Sequence, residues 1–105
     1  MRSFKAEFFK ALGHPLRIQV LDALRDGPLS VSDVQAKLGV EQSTLSQQLA
    51  ILRNRGLVST ERAGTTVRYR VSDPAIWRLL DVAIEIFENQ LVSVRTAIEG
   101  TLREA

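Results

Sequence analysis

Between Glu41 and Leu49 the chain crowds Gln42, Ser43, Thr44, Ser46, Gln47 and Gln48 around a single leucine, Leu45. Each of the six is a short hydroxyl or an amide, a neutral group that can donate and accept hydrogen bonds. A hydroxyl becomes a nucleophile only beside a general base, and the chain offers one histidine, His14, and no cysteine. No Gly-x-Ser-x-Gly elbow and no phosphate-cradling glycine loop is present, so the residue types point away from an enzyme. They suit recognition instead. The Gln47 amide can donate and accept at once, which matches the paired groups that adenine shows in the major groove of double-stranded DNA. Ser43, Thr44 and Ser46 are mediocre helix formers, so helix stability does not account for their concentration, and they are short enough to approach a phosphate or a base closely. Gln42 and Gln48 are supporting candidates.

Cations lie downstream. Arg53, Arg55, Arg62, Arg68 and Arg70 form a candidate phosphate footprint, although any one of them also suits a solvated surface with its stem laid over the core. Residues 31–72 carry a net +3, residues 73–105 a net −3, and residues 1–30 a net +2. The basic charge is therefore central, as expected if that segment meets a polyanion while the acidic third faces elsewhere.

Recognition of this kind needs a rigid scaffold. With 105 residues, 45% of them apolar and 25% charged, the chain is expected to form one globular domain, 1–105. The missing cysteines exclude disulfides, thiolate metal centres and redox switches. No apolar run approaches the roughly 20 residues of a membrane span, and residues 1–10 lack a signal-peptide core, so the expected location is cytoplasmic, with no membrane partner.

Phe4, Phe8, Phe9 and Leu12 recur at helical spacing before Gly13, and His14-Pro15 opens a second helix with Leu16, Val20, Leu21 and Leu24 on one stripe. Hydroxyls around Ser30 can cap a third helix that carries Val34 and Leu38 and stops at Gly39. A fourth begins near Gln42, with Leu45, Leu49 and Leu52 on one face and Ser43, Gln47 and Ala50 opposite. After Gly56 the period changes to two, Val67, Tyr69 and Val71 alternating with Arg68 and Arg70, which predicts a β-hairpin turning at Ala63-Gly64-Thr65. A last helix is predicted from Pro74 to about Arg103, with a bend or fraying at Gly100. It is apolar on more than one side, so a second copy is expected to cover it. The expected dimer face comprises Phe4, Phe8 and Phe9 on the first helix and Trp77, Leu80, Ile84, Phe87, Leu91, Val94 and Ile98 on the last.

Two short helices about a glycine turn followed by a hairpin make a mainly α fold of the winged helix-turn-helix kind. The runs Ala11-Leu-Gly-His-Pro-Leu-Arg-Ile, Leu38-Gly-Val-Glu-Gln-Ser-Thr-Leu-Ser-Gln-Gln-Leu and Leu52-Arg-Asn-Arg-Gly-Leu-Val, with the hairpin ending Arg68-Tyr-Arg-Val, resemble the ArsR/SmtB family of bacterial transcriptional regulators. The resemblance covers nearly the whole chain. It implies a DNA-binding segment at 29–72, dimerisation helices at 1–13 and 74–105, and a homodimer that binds an imperfect palindrome, usually as a repressor released by an effector.

The chain also departs from that family. Ser30 and Ser32 stand where many members carry metal-sensing cysteines, and Asp73, Ala75, Ile86 and Asn89 where others carry last-helix ligands. Neither set suits a soft or borderline metal. Thr65-Thr66 follows the wing glycine, Gly64, where arginine is common, and Glu41 replaces a hydroxyl cap. No cofactor is required on this reading, and the effector is not identified by the sequence. The alternatives are a nickel or zinc effector at His14 with Glu7, a hard cation at Asp81, Glu85 and Glu88, and an apolar ligand among Phe8, Phe9, Trp77 and Phe87. The competing readings are a capping histidine, a solvated acidic strip and a dimer core. A winged-helix module that binds protein rather than DNA is the alternative function.

Overall fold

The structure, a computed structural model, describes residues 2–104; Met1 and Ala105, which end the expected helical spans 1–13 and 74–105, lie outside the described residues. Its elements run α1 (Arg2–Leu12), α2 (Pro15–Ala23), β1 (Leu29–Ser30), α3 (Val31–Leu38), α4 (Gln42–Asn54), β2 (Val58–Ala63), β3 (Thr66–Val71) and α5 (Ala75–Glu104). They fall into two compact units, residues 1–74 and residues 75–105.

In the first unit, local chemistry sets each boundary. His14 is the N-cap of α2, its Nδ1 accepting the Leu16 N–H at 3.2 Å, and Pro15 follows where a missing donor costs nothing. Ser30 caps α3 by accepting the Asp33 N–H at 3.2 Å. Gly39 ends α3 in the left-handed region at φ 67°, a conformation that strains a residue bearing a Cβ, and so allows α4 to begin three residues later.

The core is made by the predicted apolar stripes. Val20 and Leu21 of α2, Val34 of α3 and Leu45, Leu49 and Leu52 of α4 are all fully buried, with Leu24 just beyond α2 at 1% exposure. Each such side chain contributes about 1.5–3 kcal/mol relative to remaining exposed. These three helices thereby become one rigid support.

The sequence predicts a two-stranded hairpin, whereas the sheet has three antiparallel strands in the order β1-β3-β2. Leu29 pairs with Tyr69 and Ser30 with Arg68, so the segment leading into α3 is stitched to the wing. Two residues are too short to show a period of two, which is why the pattern conceals β1. Gly64 at φ 66° begins the two-residue turn between β2 and β3, and Thr65 has no positive φ; this is the type II′ arrangement, whose twist suits a hairpin.

The second unit is α5 alone, 30 residues long. It remains helical through Gly100 to Glu104, so the fraying expected there does not occur. Ile76 and Leu80 are buried, Trp77 is half-buried, and Ile84, Phe87, Leu91, Val94 and Ile98 are each 53–59% exposed. Among the described residues no helix is long and apolar enough to cross a membrane.

Candidate nucleic-acid interface

The candidate interface is built outward from the leucines of α4. With Leu45, Leu49 and Leu52 anchored inside, the 100° step per residue turns the opposite side of the same helix to water. Gln42, Ser43, Thr44, Ser46 and Gln47 are all exposed, as is Arg53 in its last turn. Glu41 is the N-cap residue but its carboxylate makes no capping bond. The first turn of α4 thus keeps open backbone N–H groups facing the same solvent as the hydroxyls.

Gln48 stands apart. It is half-buried, and its Oε1 accepts a bond from Arg17 Nη1 at 3.0 Å. It does not share the free exposure of Gln47. Arg55, placed with the phosphate footprint on sequence grounds, is hydrogen-bonded and ion-paired to Glu7 of α1, so its charge is partly spent within the subunit.

The wing arginines divide by register. Directly opposed residues of an antiparallel pair share a face. Glu61 opposes Arg68 and Ser59 opposes Arg70, whose Nε donates to Ser59 Oγ at 3.3 Å. Arg62 opposes Val67 and so stands on the other face, with Tyr69 and Val71. Arg68 and Arg70 therefore form one row, and Arg62 borders the wing tip from the reverse side. All three are exposed. The row through Arg68 crosses the sheet as Ser30, Arg68 and Glu61, joining the N-cap of α3 to the wing.

The alternative effector sites are otherwise engaged or dispersed. His14 uses Nδ1 as a helix cap and Glu7 is held by Arg55. Asp81, Glu85 and Glu88 lie along an exposed strip of α5. Among the described residues no three His, Asp or Glu side chains gather as a metal site. Phe8 stacks on Phe4 at 6.0 Å between centroids and meets Phe9 edge-on at 5.5 Å, so the rings form a ladder along α1.

Sequence reasoning did not single out Arg17. The signal was available, because Arg17 lies three and four positions before Val20 and Leu21, on the apolar stripe of α2, where a charge requires partners.

A short helix, a left-handed glycine turn, a second helix with a polar outer face and a basic hairpin define a winged helix-turn-helix protein. Residues 14–60 match the pattern of the bacterial regulatory proteins of the ArsR family. The HTH-type transcriptional regulator Rv0081 of Mycobacterium tuberculosis is 41% identical over 100 residues, or 94% of this chain and 87% of its own. The crystal structure of Rv0081 has a TM-score of 0.79 at 40% identity, covering 88% of this chain and 93% of that one. A biofilm growth-associated repressor of Agrobacterium fabrum is 39% identical over 82 residues, 78% of this chain and 70% of its own. A homodimeric winged helix-turn-helix DNA-binding domain from Mycobacterium bovis has a TM-score of 0.76 at 30% identity, covering 85% and 82% of the two chains. The chain belongs to the ArsR family, whose members are DNA-binding transcriptional regulators rather than enzymes.

Proposed function

We propose that the protein represses transcription by binding a palindromic operator as a homodimer. In this reading α4 lies in the major groove, Gln47 reads a base pair, and Ser43, Thr44 and Ser46 contact bases or phosphates beside it. Arg53, Arg68 and Arg70 neutralise phosphates, and Arg62 reaches the backbone from the wing tip. The exposure of Gln42, Ser43, Thr44, Ser46 and Gln47 on the back of a helix whose other face is fully buried carries the proposal.

The dimer reading rests on exposed apolar surface. Phe4 and Phe9 of α1 and the stripe Ile84, Phe87, Leu91, Val94 and Ile98 of α5 face solvent in one subunit, and the α5 stripe alternates steps of three and four as paired helices require. The homodimeric relative from Mycobacterium bovis agrees with this assembly. Two-fold symmetry then presents two copies of α4 to half-sites about 34 Å apart. The family's cysteine and last-helix metal sites take no part, since Ser30, Ser32, Ala75 and Ile86 stand at those positions. An effector, where one acts, binds elsewhere.

Fluorescence anisotropy with a duplex from the promoter beside its own gene, and with a random duplex of equal length, tests the reading. Gln47→Ala should cost about 1–3 kcal/mol on the promoter site and little on the random duplex. Equal losses on both duplexes remove Gln47 from base reading. Wild-type protein that binds both duplexes alike, or neither, favours the protein-binding module.

A further inference from the structure

Arg17 occupies an unusual place. It lies on the apolar side of α2, yet all three nitrogens of its guanidinium donate hydrogen bonds. Nε donates to the Ala11 carbonyl at 2.6 Å, Nη2 to the Lys10 carbonyl at 3.2 Å and Nη1 to Gln48 Oε1 at 3.0 Å. The first two acceptors belong to the last turn of α1, where carbonyls lack intrahelical donors and a cation is favoured by the helix dipole. The third belongs to α4, adjacent to Gln47. One planar fork therefore joins the end of α1 to the flank of α4.

A second tie runs parallel to it. Arg55, just past α4, is ion-paired to Glu7 of α1. Gln48 and Arg55 are seven positions apart, two turns along one flank of α4, so the two ties hold that flank at two heights. Leucines alone fix the depth of a helix better than its roll, because dispersion contacts are not directional. Directed hydrogen bonds at two points fix the roll, which decides where Gln47 points.

We propose that Arg17 is a positioning residue for DNA recognition. Through Gln48 it sets the roll of α4 on α1, and Gln48 acts as an internal tether rather than as a base-reading group. The inference rests on α4 being the DNA-reading helix. A lysine at position 17 keeps the charge but, as a point donor on a flexible stem, does not span three acceptors lying in a fork.

The test is a double-mutant cycle on the full chain with Arg17→Lys, Gln48→Ala and the pair, read by anisotropy on promoter and random duplexes. Measurements are made at a temperature where circular dichroism shows each variant fully folded. Arg17→Lys should weaken promoter binding about tenfold, leave the random duplex and the salt slope unchanged, and make Gln48→Ala costless when added to it. Gln47→Ala should retain its full effect only in the wild-type background, since a helix free to roll no longer aims that amide. Promoter affinity unchanged in Arg17→Lys overturns the inference, as do losses for Arg17→Lys and Gln48→Ala that simply multiply. Equal weakening on both duplexes also overturns it, because that marks a phosphate contact or a general structural loss. Wild-type protein without promoter preference overturns the DNA reading itself, and the inference with it, and is distinguished by being seen before any substitution is made.

Discussion

Arg68 shows how a single residue's setting decides its work. It projects from the central strand β3 between Ser30 on one side and Glu61 on the other. Glu61 stands opposite it in the β2–β3 register, and both residues are exposed. A DNA phosphate, whose condensed counterions are released when it is neutralised, competes well for such a cation. Arg68→Ala should therefore weaken binding to every duplex alike and reduce the slope of log affinity against log salt by about one. A salt slope unchanged from wild type removes Arg68 from the phosphate contacts. Arg55, by contrast, reads as part of the footprint from sequence, because its neighbours Arg53 and Gly56 reveal nothing of Glu7, which stands 48 positions earlier and meets it only through folding.

At the level of elements, the outward polar face of α4 was legible because the buried face is so regular. Leu45, Leu49 and Leu52 at steps of four and three place Ser43 and Gln47 on the side of α4 away from the core. The caps were equally legible, His14 and Ser30 before their helices and Gly39 after α3, since each is a local requirement. What escaped was pairing at long range with little local pattern: β1, two residues held by β3, and the Gln48–Arg17 bond, 31 positions apart. The fully buried Leu49 ties α4 to the core, so Leu49→Ala should cost about 2–5 kcal/mol of stability, read as a shift in the urea midpoint. A shift corresponding to less than about 1 kcal/mol contradicts the assignment of this leucine to the core. The same variant, kept cold and folded, should lose promoter binding more than random binding, because α4 is then free to settle out of place.

For the whole molecule, the question is what covers the apolar stripe of α5. Ile84, Phe87, Leu91, Val94 and Ile98 are too many exposed apolar side chains on one side of one helix for a solitary subunit. The sequence announced this stripe plainly, yet its breadth, which takes in the half-buried Trp77 and the buried Leu80, did not separate exposed from buried members. Leu80 is only 8% exposed, so it is the weakest member of the expected dimer set. Leu91 is 53% exposed and central to the stripe. Leu91→Glu should shift the protein from dimer to monomer in light scattering while leaving its helical content intact. A variant that stays dimeric places the partner contact elsewhere, on α1 or on another surface.

Chemical footprinting of the bound promoter tests the main claim most directly, since dimethyl sulfate marks guanine N7 in the major groove and adenine N3 in the minor groove in one experiment. Protected guanine N7 atoms are expected in two patches about 10 bp apart, one for each copy of α4. Protection confined to adenine N3, or a bound duplex whose guanines remain fully reactive, contradicts it.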